Sequence, residues 1–287
     1  MPKLSIIILN HNTSKLLKQC LSSITAHDDY QIIVVDAGST DNSVTMVKKN
    51  FPSVVLIASP TNPGFTRGNN LARNKAQGDY VLFLNSDTQM FPNTLPEMLR
   101  LMASDAKIGI ATCLVKLPSG KLYYGCHRGF PSPWNSLTYF TGLAKLFPQS
   151  KLFAGYTATY LPLNEIHEID ACSGTFLLIR HSLLDQINWF DEDYFAYGED
   201  LQMCFNVKKK GYKVVFDPHA KLIHYWGATS GLTKTSQKTP DLKWSQARYE
   251  AMKIFYDKNY RQSYPQFMRN LVFSAIDFVS KTRKYSD

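Results

Sequence analysis

Nowhere in the 287 residues is there a run of the 18 or so uncharged apolar residues that a membrane helix needs, so no segment is expected to span a bilayer. The apolar start, Ser5 to Leu9, is too short for a secretory leader. It runs into Asn10-His11-Asn12 where a cleavable signal would carry small residues, so no signal peptide is expected. Cysteine is sparse: Cys20, Cys113, Cys126, Cys172 and Cys204 stand far apart, odd in number and without a CxxC pair. That excludes a disulfide framework and a cysteine zinc site, and it points to reduced thiols in a cytoplasmic setting. Internal repeats and low-complexity tracts are absent too. Acidic residues are in deficit, 23 against 32 lysines and arginines, for a formal charge of +9. The imbalance is steepest at the end, where eleven basic residues from Lys234 to Lys284 face Asp241, Glu250, Asp257, Asp277 and Asp287. Such a tail suits an anionic surface, either the inner membrane leaflet or nucleic acid. It equally suits a solvated basic helix face.

What is present is an ordinary apolar content of 44%, enough for a sizeable core, arranged in an alternating pattern. Leu4–Leu9, Gln31–Asp36, Val54–Ala58 and Tyr80–Leu84 are apolar runs of strand length. Between them lie helical stretches at Ser14–Thr25, from Asp41 or Asn42, and at Asn69–Ala76, the last reached through the Pro/Gly/Asn-rich loop Ser59–Gly68. Strands separated by helices imply βαβ units and a mostly parallel α/β sheet, and ligands bind such sheets at the carboxyl ends of the strands. The polar clusters Asn10-His11-Asn12, Asp36, Asn62 to Asn70 and Asn85-Ser86-Asp87 fall at those ends. Residues 118–168 read as irregular and rich in aromatics, the signature of a functional lid or an insertion. Beyond them the pattern predicts a strand at Gly174–Ile179 and a helix at Leu201–Lys210. Two more strands, Tyr212–Phe216 and Lys221–His224, are expected around an Asp217-Pro218 turn. The chain turns helical from about Leu242, and Pro265–Arg283 gathers Phe267, Met268, Leu271, Val272, Ala275, Ile276 and Val279 on one face. That face can pack on the body or lie on a membrane.

Four places can carry chemistry. Asp36, followed by Gly38, can accept hydrogen bonds from a nucleoside. Asn62-Pro63-Gly64-Phe65-Thr66-Arg67-Gly68-Asn69-Asn70 can cradle phosphates, with Arg67 as the counter-charge. Asp87, closing a Val-Leu-Phe-Leu strand, can hold a hard divalent cation; it needs a second ligand, for which His224 is the best candidate, though spacing alone does not pair them. Glu199-Asp200 opens a helix, where a carboxylate is stabilised by the dipole or can serve as a general base.

Taken in order, these motifs resemble glycosyltransferase family 2, the inverting transferases of GT-A fold, and within it the rhamnosyltransferase-like branch. The resemblance runs from Leu4 to Gly231. It rests on Ser5 to Asn12, Val34 to Asp41, Asn62 to Asn70, Leu84 to Thr88, Ser173-Gly174-Thr175-Phe176, Phe190-Asp191-Glu192, Tyr197 to Asp200, and His224 with Gly227 and Ser230. It implies a catalytic domain over 1–231, with a nucleotide-sugar half to about 117 and an acceptor half beyond, then a basic helical extension over 232–287. It implies a UDP- or dTDP-linked sugar donor bound by Asn10, Asn12, Asp36, Gly38, Asn62, Gly64, Phe65, Arg67, Asn70, Asn85, Ser86 and Asp87. A Mg²⁺ or Mn²⁺ would sit on Asp87 and His224, with Asp200 as base. Glu199 would support that base or contact the acceptor, and Gly174 and Trp226 would lie on the acceptor side. The acceptor expected is a glycan or lipid-linked glycan, presented at the inner face of the cytoplasmic membrane, with the basic helices as a peripheral contact and no nucleic-acid partner. Two departures stand out: Asn85 replaces the first acid of the family's Asp-x-Asp, and Gln202 replaces an acid two positions after Asp200. A sugar nucleotidyltransferase would carry a Gly-rich basic loop where this chain has Asn-His-Asn-Thr-Ser. A non-catalytic glycan- or nucleic-acid-binding module would have no need of the acidic pair.

Overall fold

The computed structural model describes residues 2–25, 27–226 and 242–282. Its first half follows the βαβ pattern: β1 (Leu4–Asn10), α1 (Ser14–Ser23), β2 (Tyr30–Ala37), α2 (Ser43–Asn50), β3 (Val55–Ser59), α3 (Phe65–Asn70) and β4 (Tyr80–Asn85). β1 is flanked by β2 and β4, and β3 lies outside β2, all parallel. Ile6, Ile7 and Ile8 are buried on both faces of the central strand, which is why β1 is a continuous apolar run with no alternation.

The second half is β5 (Thr88–Met90), α4 (Thr94–Ser104), β6 (Ile108–Lys116), α5 (Pro133–Phe140), α6 (Leu143–Leu146), β7 (His167–Ile169), β8 (Phe176–Arg180), α7 (His181–Gln186), α8 (Glu199–Lys209) and β9 (Lys213–His224). The sheet order is β3-β2-β1-β4-β8-β6-β9-β5, with β7 also on β9. Because β8 enters antiparallel between β4 and β6, the sheet is parallel only across its first four strands and mixed beyond.

Two local expectations are corrected. The helix placed at Asn69–Ala76 is α3, four residues earlier, because its first turn is tied to a distant loop: the Phe65 N–H donates to Phe195 O at 2.8 Å and the Thr66 hydroxyl donates to Tyr194 O. The two strands around Asp217-Pro218 are one strand, β9. The pairing with β6 jumps from Cys113↔Asp217 to Leu114↔Lys221, so the proline, which lacks a donor, sits in a bulge inside the strand.

The chain ends in α9 (Leu242–Asn259) and α10 (Gln266–Thr282). α9 packs on the body: Phe255 is 2% exposed against Phe205 of α8, and the Asn259 side chain donates to Gln202 Oε1 at 2.8 Å. α10 packs on α9 through Phe273 against Tyr256 and a two-pronged Arg269–Asp257 pair at 2.6 and 2.7 Å. The apolar face expected on α10 is divided, since Ile276 is buried while Phe267 and Leu271 are exposed. Among the described residues no helix is long and apolar enough to cross a membrane. All five cysteines are free and buried.

Candidate active site

An open cleft of about 160 Å³ lies across the carboxyl ends of β1, β2 and β4 and the start of α8. On its first side, Asp36 at the end of β2 is buried and fixed from both directions. Asn10 Nδ2 donates to its Oδ2 at 2.9 Å and the Ser39 N–H to its Oδ1 at 2.9 Å. The Asn12 side chain caps the same turn, its Oδ1 accepting from the Thr40 N–H at 2.8 Å. Gly38 adopts φ +66°, and a Cβ there would meet the Thr61 carbonyl carbon at 2.8 Å, so only glycine allows the two loops to approach this closely. A chain of side-chain hydrogen bonds then crosses the cleft floor. From Asp36 it passes to Asn10, from Asn10 Oδ1 to the Thr13 hydroxyl at 2.7 Å, and from Thr13 to Ser86 Oγ at 3.1 Å.

On the second side Asp87 is buried, and its Oδ1 lies 3.1 Å from His224 Nε2, an approach set by the antiparallel register Thr88↔His224. The Asn85 amide sits 3.5 Å from the same ring nitrogen, and Tyr123 meets the imidazole edge-on at 4.8 Å. Asp87 and His224 face each other as oxygen and nitrogen donors, so the pair can share a proton or a cation. Among the described residues no third His, Cys, Asp or Glu joins them in a cluster. His224 Nδ1 is buried without a hydrogen-bond partner among the described residues.

The third side is the start of α8. Tyr197 and Gly198 both take positive φ, +67° and +80°, a strained turn of the kind that collects at functional sites, and it delivers Glu199 and Asp200 into the cleft. Three donors converge on Asp200: Arg128 Nη2 at 2.7 Å and the Gly174 N–H at 3.3 Å on Oδ2, and the Leu201 N–H at 2.7 Å on Oδ1. Glu199 is also buried, but its Oε2 has no hydrogen-bond partner among the described residues. Burial and the adjacent Asp200 charge hold the Glu199 carboxyl well above its ordinary value.

Of the residues named from sequence, Asn62, Gly64, Phe65, Asn85, Ser86, Asp87, Gly174, Glu199, Asp200, His224 and Trp226 line the cleft. Asn10, Asn12, Asp36 and Gly38 build the turn behind its wall. Arg67 and Asn70 point elsewhere. Arg67 Nε is 3.4 Å from Glu192, and Asn70 Nδ2 donates to Phe190 O at 2.9 Å and Glu192 Oε1 at 3.0 Å. They hold the loop that precedes α8 onto α3, because α3 starts early enough to turn both side chains that way. Gly227 and Ser230 lie outside the described residues. Reading along the chain missed Arg128 and Tyr123. Both come from the irregular stretch, and Arg128 is 72 residues from its partner, so no local spacing reveals it.

The profile of the family described as glycosyl transferase family 2 matches residues 5–162, more than half of the chain and every element on the first two sides of the cleft up to Tyr123. The chain belongs to glycosyl transferase family 2. Its similarity to curated members of the family points to the rhamnosyltransferase-like branch. It is 26% identical over 230 residues to the rhamnosyltransferase WbbL of Escherichia coli (strain K12), covering 77% of this chain and 82% of that one. It is 25% identical over 243 residues to the N-acetylglucosaminyl-diphospho-decaprenol L-rhamnosyltransferase of Mycobacterium tuberculosis (strain ATCC 25618 / H37Rv), covering 79% and 78%. The mannosyltransferase PcManGT from Pyrobaculum calidifontis, solved with GDP-Man and Mn²⁺, superposes with a TM-score of 0.60 at 16% identity, over 98% of this chain and 70% of that one. S. aureus TarS 1-349 with UDP-GlcNAc does so with 0.56 at 17%, over 96% and 71%. The fold is therefore GT-A, and the family 2 activity is glycosyl transfer.

Proposed function

We propose that this transferase moves a sugar, with rhamnose the first candidate, from a UDP- or dTDP-linked donor to a hydroxyl of a lipid-linked glycan, inverting the anomeric centre. The observation that carries this reading is the meeting in one cleft of Asp87 with His224 on one side and Glu199 with Asp200 on the other, with the Asp36 turn behind. The nucleoside would lie against His11, Ala37 and the Asp36 turn, and the donor sugar between Asn62, Gly64, Phe65 and Gly174. Asp87 and His224 are the residues that would hold a divalent cation, and Mg²⁺ or Mn²⁺ there would offset the charge developing on the departing diphosphate. Asp200, oriented by Arg128 and the Gly174 N–H, takes the acceptor proton as the hydroxyl attacks in line. The mycobacterial relative is named for a polyprenyl-diphosphate-linked acceptor, which supports the lipid-linked class and a site of action at the cytoplasmic face of the membrane.

Asp200→Asn is expected to lower transfer at least about 10³-fold while donor binding, followed by thermal shift across a panel of nucleotide sugars with and without Mn²⁺, stays near wild type. Full transfer by that variant removes Asp200 as the base. Two observations favour a second reading, in which Glu199 is the base: its Oε2 is unpartnered among the described residues and its proton affinity is raised. Under that reading Glu199→Gln, and not Asp200→Asn, abolishes turnover.

A further inference from the structure

From Ala106 to Asn164 the sequence holds no aspartate or glutamate, while it holds Lys107, Lys116, Lys121, Arg128, Lys145 and Lys151. The middle of this stretch forms an excursion from the sheet, closed at its base where the Gly129 N–H donates to Tyr156 O at 2.9 Å. That base adjoins Arg128, which reaches Asp200 in the cleft. Out on the excursion the chain exposes large apolar side chains. Trp134 and Leu137 lie one turn apart on α5, Leu146 ends α6 at 72% exposed, and Phe147 and Leu152 follow. Trp134, Phe147 and Leu152 are gathered around Phe153, and Leu146 directly precedes Phe147. Phe153 lies between the rings of Trp134 and Phe147 at 6.2 and 5.2 Å, and the Trp134 indole N–H donates to Leu152 O at 2.8 Å. Lys145 and Lys151 are exposed beside them, and neither ammonium has an ion-pair partner among the described residues.

Apolar surface of this kind on a soluble protein marks an interaction site. Here the excursion's own charged side chains are of one sign only. Indole and aliphatic tips set beside lysines that can extend upward match the boundary between acyl chains and headgroups. An excursion whose own charges are all basic matches anionic lipid. We propose that the α5–α6 surface docks on an anionic phospholipid bilayer. Trp134, Leu146, Phe147 and Leu152 seat at the headgroup level, with Lys145 and Lys151 over lipid phosphates. The same excursion carries Arg128 at its base, so docking sets the acceptor side of the cleft at the membrane. This extends the reading of a lipid-linked acceptor and moves the membrane contact from the C-terminal helices to the acceptor half.

Sedimentation of the full chain with phosphatidylglycerol–phosphatidylcholine vesicles, and with phosphatidylcholine alone, tests it. Wild type should pellet with the anionic vesicles and lose that binding in high salt. Leu146→Glu with Phe147→Glu should weaken binding at least about tenfold. Lys145→Glu with Lys151→Glu should weaken it by about fivefold or more per lysine. Leu271→Glu on α10 should leave it unchanged. The substituted side chains are exposed, so the melting temperature and the hydrolysis of donor without lipid should stay as in wild type. The proposal is overturned if both double variants bind anionic vesicles like wild type. It is equally overturned if Leu271→Glu abolishes binding, or if wild type is a dimer that Leu146→Glu with Phe147→Glu breaks apart. Vesicle binding needs no turnover, so these results are independent of whether the transfer assignment holds.

Discussion

Glu199 and Asp200 are neighbours in sequence with opposite surroundings. Asp200 collects a guanidinium and two backbone donors, whereas Glu199 keeps a buried oxygen with no partner among the described residues. A buried carboxyl whose folded-state proton affinity is raised favours the fold only while it is protonated. Its contribution is fully present below its ordinary value of 4.5 and is lost as pH rises through the higher folded-state value. Glu199→Gln keeps the shape and removes the ionisation. The variant should therefore melt higher than wild type at neutral pH, by about 2–5 °C, with the gain shrinking toward zero as pH falls to 4.5. Melting curves across that range check this, and a variant that melts lower at pH 7 would show that the carboxylate is needed for packing. The acidic pair was legible in the sequence because it opens a helix. The asymmetry within it was not, because Arg128 arrives from a distant stretch with no periodicity of its own.

At the scale of elements, the wall of the cleft proposed to take the donor depends on loops held almost in contact. Gly38→Ala places a methyl against the Thr61 backbone in a left-handed conformation. Such strain costs about 1–2 kcal/mol, and the turn carrying Asp36 must shift to relieve it. The expected outcome is a donor KM raised about 5–10-fold with kcat less affected. Gly120→Ala, at φ +81° with open space around it, serves as the control and should change neither. Strands β1, β2 and β4 were legible because a strand buried on both faces is written as an unbroken apolar run. The early start of α3 and the unbroken course of β9 were not. The first is set by hydrogen bonds to Tyr194 and Phe195, and the second by pairing with β6 that absorbs a proline in a bulge. Both causes are tertiary, so neither Arg67 nor Asn70 could be aimed correctly from the loop's composition.

At the scale of the whole molecule, the C-terminal helices are joined to the catalytic body. Phe255 of α9 is fully buried among Phe130 and Phe205, and Lys258 pairs with Asp191 and Asp193 at 2.6 Å, just ahead of the strained turn into α8. Phe255→Ala should cost about 3–5 kcal/mol, a fall on the order of 10 °C in Tm, and should lower activity by loosening the start of α8. An unchanged Tm would mean that α9 docks only weakly. The +9 charge and the amphipathic end of the chain were plain in the sequence. Which apolar surface stays outside was not, because α10 spends half of its apolar face on α9 while the α5–α6 excursion leaves its own uncovered.

Three of the five buried thiols give this molecule a set of internal clocks. Cys20 lies under the Asn85–Asp87 turn, its Sγ 3.6 Å from Asn85 O, and burial pushes it up to about 12; Cys172 and Cys204, 4.0 Å apart, lie beneath Ser173-Gly174 and α8. A thiol reagent added to the native protein reaches them only when those regions open, so the rate at which each is labelled times the breathing of one wall of the cleft.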